Sequence, residues 1–272
     1  MTDARPRILV NVDDSKEGDT VLGVAGLLAR RLDADVALFT TGRRDRKREL
    51  LFELGERLLD MPAPGRVTKI AKEGLLERAL PEACREWGAD VAVVGRLGSL
   101  DWLTHGLVLT HVVRKVPCSL VHVKAGRKRM ERLLVCTSGP ASEETVRGAL
   151  TLAAATGAVL TVLHVLSVLR LETSRFEEER DMVEELIRLE AEVRSHLDAV
   201  RAWAHAKNVP LEVKLRTGLI EEEILEETKR GPYDLLVVGA HTPGPEAHLT
   251  RDIADWLVHH ANMTTLIVKP RG

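Results

Sequence analysis

The chain is written twice. Residues 7–10, and the run on to Thr20-Val21, lie over residues 132–135 and the run on to Thr145-Val146, a shift of 125 positions. Farther along, 67–95 (VTKIAKEGLLERALPEACREWGADVAVVG) follows the pattern of 212–239 (EVKLRTGLIEEEILEETKRGPYDLLVVG), with Gly74 over Gly218 and Gly95 over Gly239. The shift there is 144, so the second copy carries about nineteen extra residues between its second and third strands. The closing runs 119–124 and 264–269 also correspond. A chain self-similar at this spacing folds as related units. The repeat places one domain at 1–126 and the other at 131–272, meeting in the charged stretch 126–131.

Each copy alternates short β-branched runs with amphipathic segments. In the first copy, strands are expected at 8–12, 36–39, 67–70, 91–94 and 120–123, and helices at 18–32, 46–59, 75–87 and 107–115. In the second, strands are expected at 133–136, 159–164, 211–215, 235–238 and 265–268. Except for the third, the strands have few interior charges, as when helices cover both faces of a parallel sheet. Strict alternation predicts an α/β chain of two tandem, doubly wound, five-stranded parallel-sheet domains. The extra residues of the second copy, 175–207, are Glu-rich and repeat Val183, Leu186, Val193, Leu197, Val200 and Ala204 at helical spacing. They predict one long helix with a core face and a charged face, its first turns reaching beyond the sheet.

Composition narrows the classes. Lys+Arg 39 against Asp+Glu 41 leaves a net charge of -2, which argues against bulk nucleic-acid binding. Hydrophobic residues at 44% and charged residues at 29% exclude wholesale disorder. Cys84, Cys118 and Cys136 lack paired spacing and a histidine cluster, which speaks against a disulfide scaffold and a zinc site. Cys118 and Cys136, in or beside buried strands, read as packing residues. Residues 1–7 are charged, with no apolar run behind them, so no secretory signal is expected. Residues 148–169 contain no Asp, Glu, Lys or Arg and are long enough to span a bilayer. The first-copy counterpart, however, holds Arg30, Arg31, Asp33 and Asp35, so a helix running into a buried strand is expected there and no membrane segment.

Ligands of open α/β sheets bind at the carboxyl ends of the strands, near the switch in strand order. Two such places stand out in the first copy: Val12-Asp13-Asp14-Ser15, and Gly95-Arg96-Leu97-Gly98 followed by Gly106 before the last helix. Glycines there let backbone N–H groups approach phosphate oxygens, and a helix N-terminus adds positive partial charge. Strand-to-helix turns also need glycine for steric reasons alone.

The runs ILVNVDDS (8–15), EG (73–74), GADVAVVGRLG (88–98) and VPCSLV (116–121), with their order seen twice, resemble the universal stress protein family over nearly the whole chain. The resemblance implies a tandem pair of domains joined through their last strands as a pseudo-dimer, in a soluble cytoplasmic stress-response protein. Some members bind ATP and others do not. Nucleotide-binding members share Gly-x2-Gly-x9-Gly-Ser/Thr and an Asp ending the first strand, which maps nucleotide contacts onto Asp13, Gly95, Gly98 and Gly106. Two departures follow. Only seven residues separate Gly98 from Gly106, and Leu107 stands where a hydroxyl should hold phosphate. Loss of one such contact costs roughly 1.5–3 kcal/mol. In the second copy Ser138 replaces the Asp, Gly239-Ala240-His241-Thr242 lacks the second glycine, and Arg251-Asp252 lies over Gly106-Leu107. A carboxylate about 4 Å from a phosphate oxygen is repelled by about 4 kcal/mol at an effective dielectric near 20.

Other residues offer less. Asp13-Asp14 resembles the acidic pair of a receiver domain, but 70–74 supplies no phosphate-accepting Asp. His241, His248, His259 and His260 crowd one segment, yet neighbours on a helix point apart, so no metal site is expected. The basic run 43–48 reads as a solvated helix start. No nucleophile stands with an oriented base, so no catalytic residue is named. The expectation is a protein that acts by binding, a non-catalytic regulator or scaffold with weak or absent nucleotide binding and a tendency to self-associate. ATP is the one cofactor considered, in the first domain. The alternatives are an ATP sensor using Asp13, Gly95, Gly98 and Gly106, with slow hydrolysis, and a protein-interaction module using the long helix.

Overall fold

A computed structural model describes residues 5–15, 17–42, 46–59, 65–97, 102–124, 129–167, 179–240 and 253–270. The strands are β1 (Arg7–Asn11), β2 (Asp35–Thr41), β3 (Val67–Lys72), β4 (Val91–Val94), β5 (Ser119–His122), β6 (Arg132–Thr137), β7 (Val159–Ser167), β8 (Leu211–Gly218), β9 (Leu235–Gly239) and β10 (Thr265–Val268). The helices are α1 (Gly18–Leu32), α2 (Arg46–Leu59), α3 (Leu76–Trp87), α4 (Trp102–Lys115), α5 (Glu143–Thr156), α6 (Glu179–Ala206), α7 (Ile220–Arg230) and α8 (Ile253–His260). The apolar stretch at 148–169 divides into the end of α5, a turn and β7, as the repeat requires. No helix among the described residues is long and apolar enough to cross a membrane.

The chain forms two compact units, Met1–Arg129 with Ala261–Gly272, and Met130–His260. In the first, the strand order is β3-β2-β1-β4-β5-β10. The pairs β2–β3, β1–β2, β1–β4 and β4–β5 are parallel, and β10 lies antiparallel to β5, with Leu266 opposite Val121. The closing strands of the two repeats thus pair, and segment 261–272 is counted in space with the first unit. Lys124 donates its ammonium to the Ala261 carbonyl at 2.6 Å, and the Lys269 N–H meets Ser119 Oγ at 3.2 Å. The second unit has the order β9-β6-β7-β8, all parallel.

Central strands β1, β2 and β6 are buried through their interiors, with Ile8, Leu9, Leu38, Phe39, Leu133 and Leu134 among the largest fully buried side chains. Edge strands β3 and β8 carry the charges, because one side of each meets water. The two edges use one device. Lys72 reaches Glu82 and Glu86 of α3, and its counterpart Arg216 reaches Glu223 and Glu227 of α7. A second device also repeats. Asp90 Oδ2 accepts the Arg7 N–H at 2.9 Å, and Asp234 Oδ2 accepts the N–H groups of Glu131 and Arg132 at 2.9 and 3.2 Å. The aspartate before the fourth strand of each repeat therefore pins the start of the first.

Candidate functional site

In the first unit the strand order reverses between β1 and β4, which run side by side with Val10 opposite Val93. Asp13 and Gly95 follow the carboxyl ends of these two strands, so the fold brings them together at the switch point. Val12 N–H still bonds the Phe39 carbonyl at 2.7 Å, and the chain then turns. Asp13 shapes that turn: Oδ1 accepts the Ser15 N–H at 3.0 Å and Oδ2 accepts Asn11 Nδ2 at 3.2 Å. This is the local bonding by which aspartate closes turns. Asp13 remains half-buried. Ser15 Oγ is buried with no hydrogen-bond partner among the described residues. Glu17, which precedes α1, makes no side-chain cap hydrogen bond.

The glycines separate. Gly95 is buried, and a Cβ added to it would lie 2.6 Å from Val21 Cγ2 of α1. In the second unit a Cβ on Gly239 would lie 2.7 Å from Thr145 Oγ1 of α5. The same close helix approach in both copies gives this glycine a packing role whatever the ligand. Gly106 sits inside α4, whose start at Trp102 precedes the expected 107. As the fifth helical residue its N–H belongs to the intrahelical ladder, and only the first four are unpaired. Leu107, beside it, is 74% exposed. Gly98 lies outside the described residues, as do 43–45 of the basic run, His241, His248 and Arg251-Asp252.

The second unit reverses order between β6 and β9, and its crevice is built differently. Thr137, ending β6, bonds through Oγ1 to His196 Nε2 of α6 at 2.8 Å and to Ser142 Oγ at 2.5 Å. It also accepts the Gly139 N–H at 3.2 Å. Ser142 Oγ accepts the Ser138 N–H at 3.1 Å and donates to the Gly139 carbonyl at 2.7 Å. His164 of β7 donates from Nδ1 to the Thr137 carbonyl at 2.9 Å. Two hydroxyls thus hold two turn amides here, Ser138 and Gly139, where in the first unit a carboxylate holds one, Ser15.

Burial lowers the pKa of His164, opposed by its bond to Thr137, and lowers that of His196, aided by His164 and opposed by Glu143. Trp203 meets His196 edge-on at 6.4 Å, with the Arg147 guanidinium 3.8 Å from the Trp203 ring. Sequence reading missed this cluster. Its traces are a histidine inside the buried run 159–164 and another next to Leu197 on the core stripe of the long helix.

No group of three or more His, Cys, Asp or Glu among the described residues is arranged to hold a metal ion. The outer face of α6 pairs its own charges, Arg188 with Glu192, Glu190 with Arg194 and Asp198 with Arg201. Leu197, Val200 and Ala204 form its buried side.

Set against known proteins, the geometry has a clear parentage. The profile of the universal stress protein family matches residues 130–269. The chain belongs to that family. A functionally unknown protein from Pseudomonas aeruginosa PAO1 shares the fold at a TM-score of 0.68 and 17% identity, over 98% of this chain and 94% of that one. A universal stress protein from Archaeoglobus fulgidus DSM 4304 does so at 0.62 and 13%, over 97% and 96%. The cytoplasmic domain of a prokaryotic cation chloride cotransporter is also similar, at 0.55 and 13%, over 97% and 95%. Such different proteins on one scaffold leave function to the site and not the fold. No curated protein matches. The universal stress profile falls on the half whose crevice is lined by its own histidines and hydroxyls.

Proposed function

We propose that this universal stress protein works by binding, as a cytoplasmic, non-catalytic regulator or scaffold of a stress response that self-associates or engages a protein partner. Nucleotide binding is weak or absent. The observation that carries this reading is the Thr137-centred network. Hydroxyls and amides at the second switch point, which elsewhere would meet a ligand, bond to one another. In the first unit, Gly106 is supported as a helical residue and Gly95 as a packing residue. The purified protein, denatured and assayed for released adenine nucleotide, is expected to yield only a trace. A near-stoichiometric yield would overturn the reading.

One observation favours a second reading, an ATP sensor in the first unit through Asp13, Gly95, Gly98 and Gly106. Ser15 Oγ is buried without a described partner beside Asp13 at the switch point, and a ligand oxygen would satisfy it. Titration calorimetry with ATP and Mg²⁺ distinguishes the readings. Binding that Asp13→Ala weakens supports the sensor, and no heat at millimolar ATP excludes it.

A further inference from the structure

In the second unit β8 is an edge strand, and among the described residues no strand pairs with its outer side. On its inner side the Leu160 N–H bonds the Pro210 carbonyl at 2.9 Å. In a parallel ladder alternate residues bond the same neighbour, so Leu211, Val213, Leu215 and Thr217 turn their N–H and C=O groups outward. Such an edge is a template for a further strand. Where this backbone is open, the side chains are mostly apolar. Leu211 and Val213 line a groove with Arg201, Ala204 and His205 of α6. Leu215 is 58% exposed, and Leu166 of β7, one pair farther along the same face, is 43% exposed.

The first repeat guards the corresponding edge. There the Val36 N–H bonds the Arg66 carbonyl at 2.9 Å, so Val67, Lys69 and Ala71 of β3 turn their backbone outward. At the shift of 144, Lys69 stands at the position of Val213, and Ala71 at that of Leu215. The middle outward residue is thus a lysine with a side chain 40% exposed, the kind of charge by which edge strands repel one another. The second repeat lacks that guard and carries valine instead.

We propose that β8 is a dimerisation edge, pairing antiparallel with β8 of a second copy of this chain about a two-fold axis at Val213. The proposal names the surface for the self-association in the proposed function, and rests on that reading. Charge selects both the occupant and the register. With Val213 opposite Val213 of the second copy, Leu211 meets Leu215 and Glu212 meets Lys214, and symmetry forms each of these pairs twice. Leu211, Val213 and Leu215 are then the hydrogen-bonded pairs, as their outward backbone requires. The side chains of Glu212 and Lys214 are 45% and 42% exposed, open to the second copy. Opposite charges facing each other across a ladder stabilise it, and like charges oppose it. Moving the axis by one residue sets Lys214 against Lys214, or Glu212 against Glu212. The strand therefore carries its own complement in the register centred on Val213.

Sedimentation of the full-length protein over a dilution series should show a dimer that dissociates. Val213→Lys, which copies Lys69, should weaken that dimer at least about a hundredfold, because two ammonium groups then face each other across the axis. Deuterium exchange of the unmodified protein should slow at 211–217 as the dimer forms, and this readout stands independently should the variant fail to fold. A chain monomeric at every concentration would overturn both this surface and the self-association reading. A dimer that Val213→Lys leaves intact, or exchange at 211–217 that does not change with concentration, would overturn the surface alone. Shielding of 211–217 in a monomer only when another protein is added would give the edge to a foreign strand, and would overturn the second copy as its occupant.

Discussion

At the residue scale, Glu227 is a side chain outside the crevices with all its bonding committed to neighbours. It is 1% exposed and accepts Lys214 Nζ at 2.7 Å, Tyr233 Oη at 2.6 Å and the Arg216 guanidinium at 2.9 Å through Nε. Burial alone would raise its pKa, but the donors Lys214, Tyr233 and Arg216 prevail and lower it. A buried carboxylate is tolerated because its oxygens are satisfied, and removing it strands its partners. Glu227→Ala is therefore expected to cost about 2–4 kcal/mol, read as a lower urea midpoint, with nucleotide content unaffected. Asp13 differs: it orders one exposed turn and keeps water on one side. Its sequence position was legible, whereas its bonds to Asn11 and Ser15 were not, since they depend on how the turn closes.

At the scale of elements, the long insertion helix α6 is anchored by contacts to α5 and β6. His196 bonds Thr137, and Trp203 takes the Arg147 guanidinium, itself paired with Glu143 at 2.6 Å. The groups acting on His196 are His164 from β7 and Glu143 from α5, beside its bond to Thr137. Both histidines have a folded-state pKa below the unfolded value of 6.5. Below about pH 6.5 the unfolded chain takes up protons that the folded chain refuses, so stability is greatest above that pH and is lost as pH falls. Urea titrations at about pH 7.5 and 5.5 should show a loss of about 1–2 kcal/mol. His196→Gln should flatten that dependence, and an equally steep loss in the variant would remove His196 as its source.

At the scale of the whole molecule, the first unit depends on a strand from the far end of the chain. β5 has β4 on one side and β10 on the other, and Leu120 and Val121 are buried there. Truncation after His260 removes β10 and exposes the β5 edge, a template for pairing with another chain. The truncated protein is expected to sediment as a larger species than the full-length chain at equal concentration. Unchanged sedimentation with an unchanged melting temperature would show that β10 is dispensable. The repeat assigned 261–272 to the second domain because sequence similarity follows descent. Spatial membership follows hydrogen bonds and burial, and these place the segment with β5.

What the chain determined unaided is its alternation of strands and helices, its duplication and the two strand ends where ligands of this fold gather. Those features are local or periodic: a strand buried on both faces must be apolar along its length, and an amphipathic helix must repeat its stripe. Even the bounds of α1 and α2 follow from that rule. The start of α4 did not, because nothing between Trp102 and Gly106 breaks a helix. Only the tertiary structure decided that Val21 packs close against Gly95 and that His196 closes on Thr137. Each joins residues distant along the chain, and a distance between side chains exists only once the backbone between them has folded.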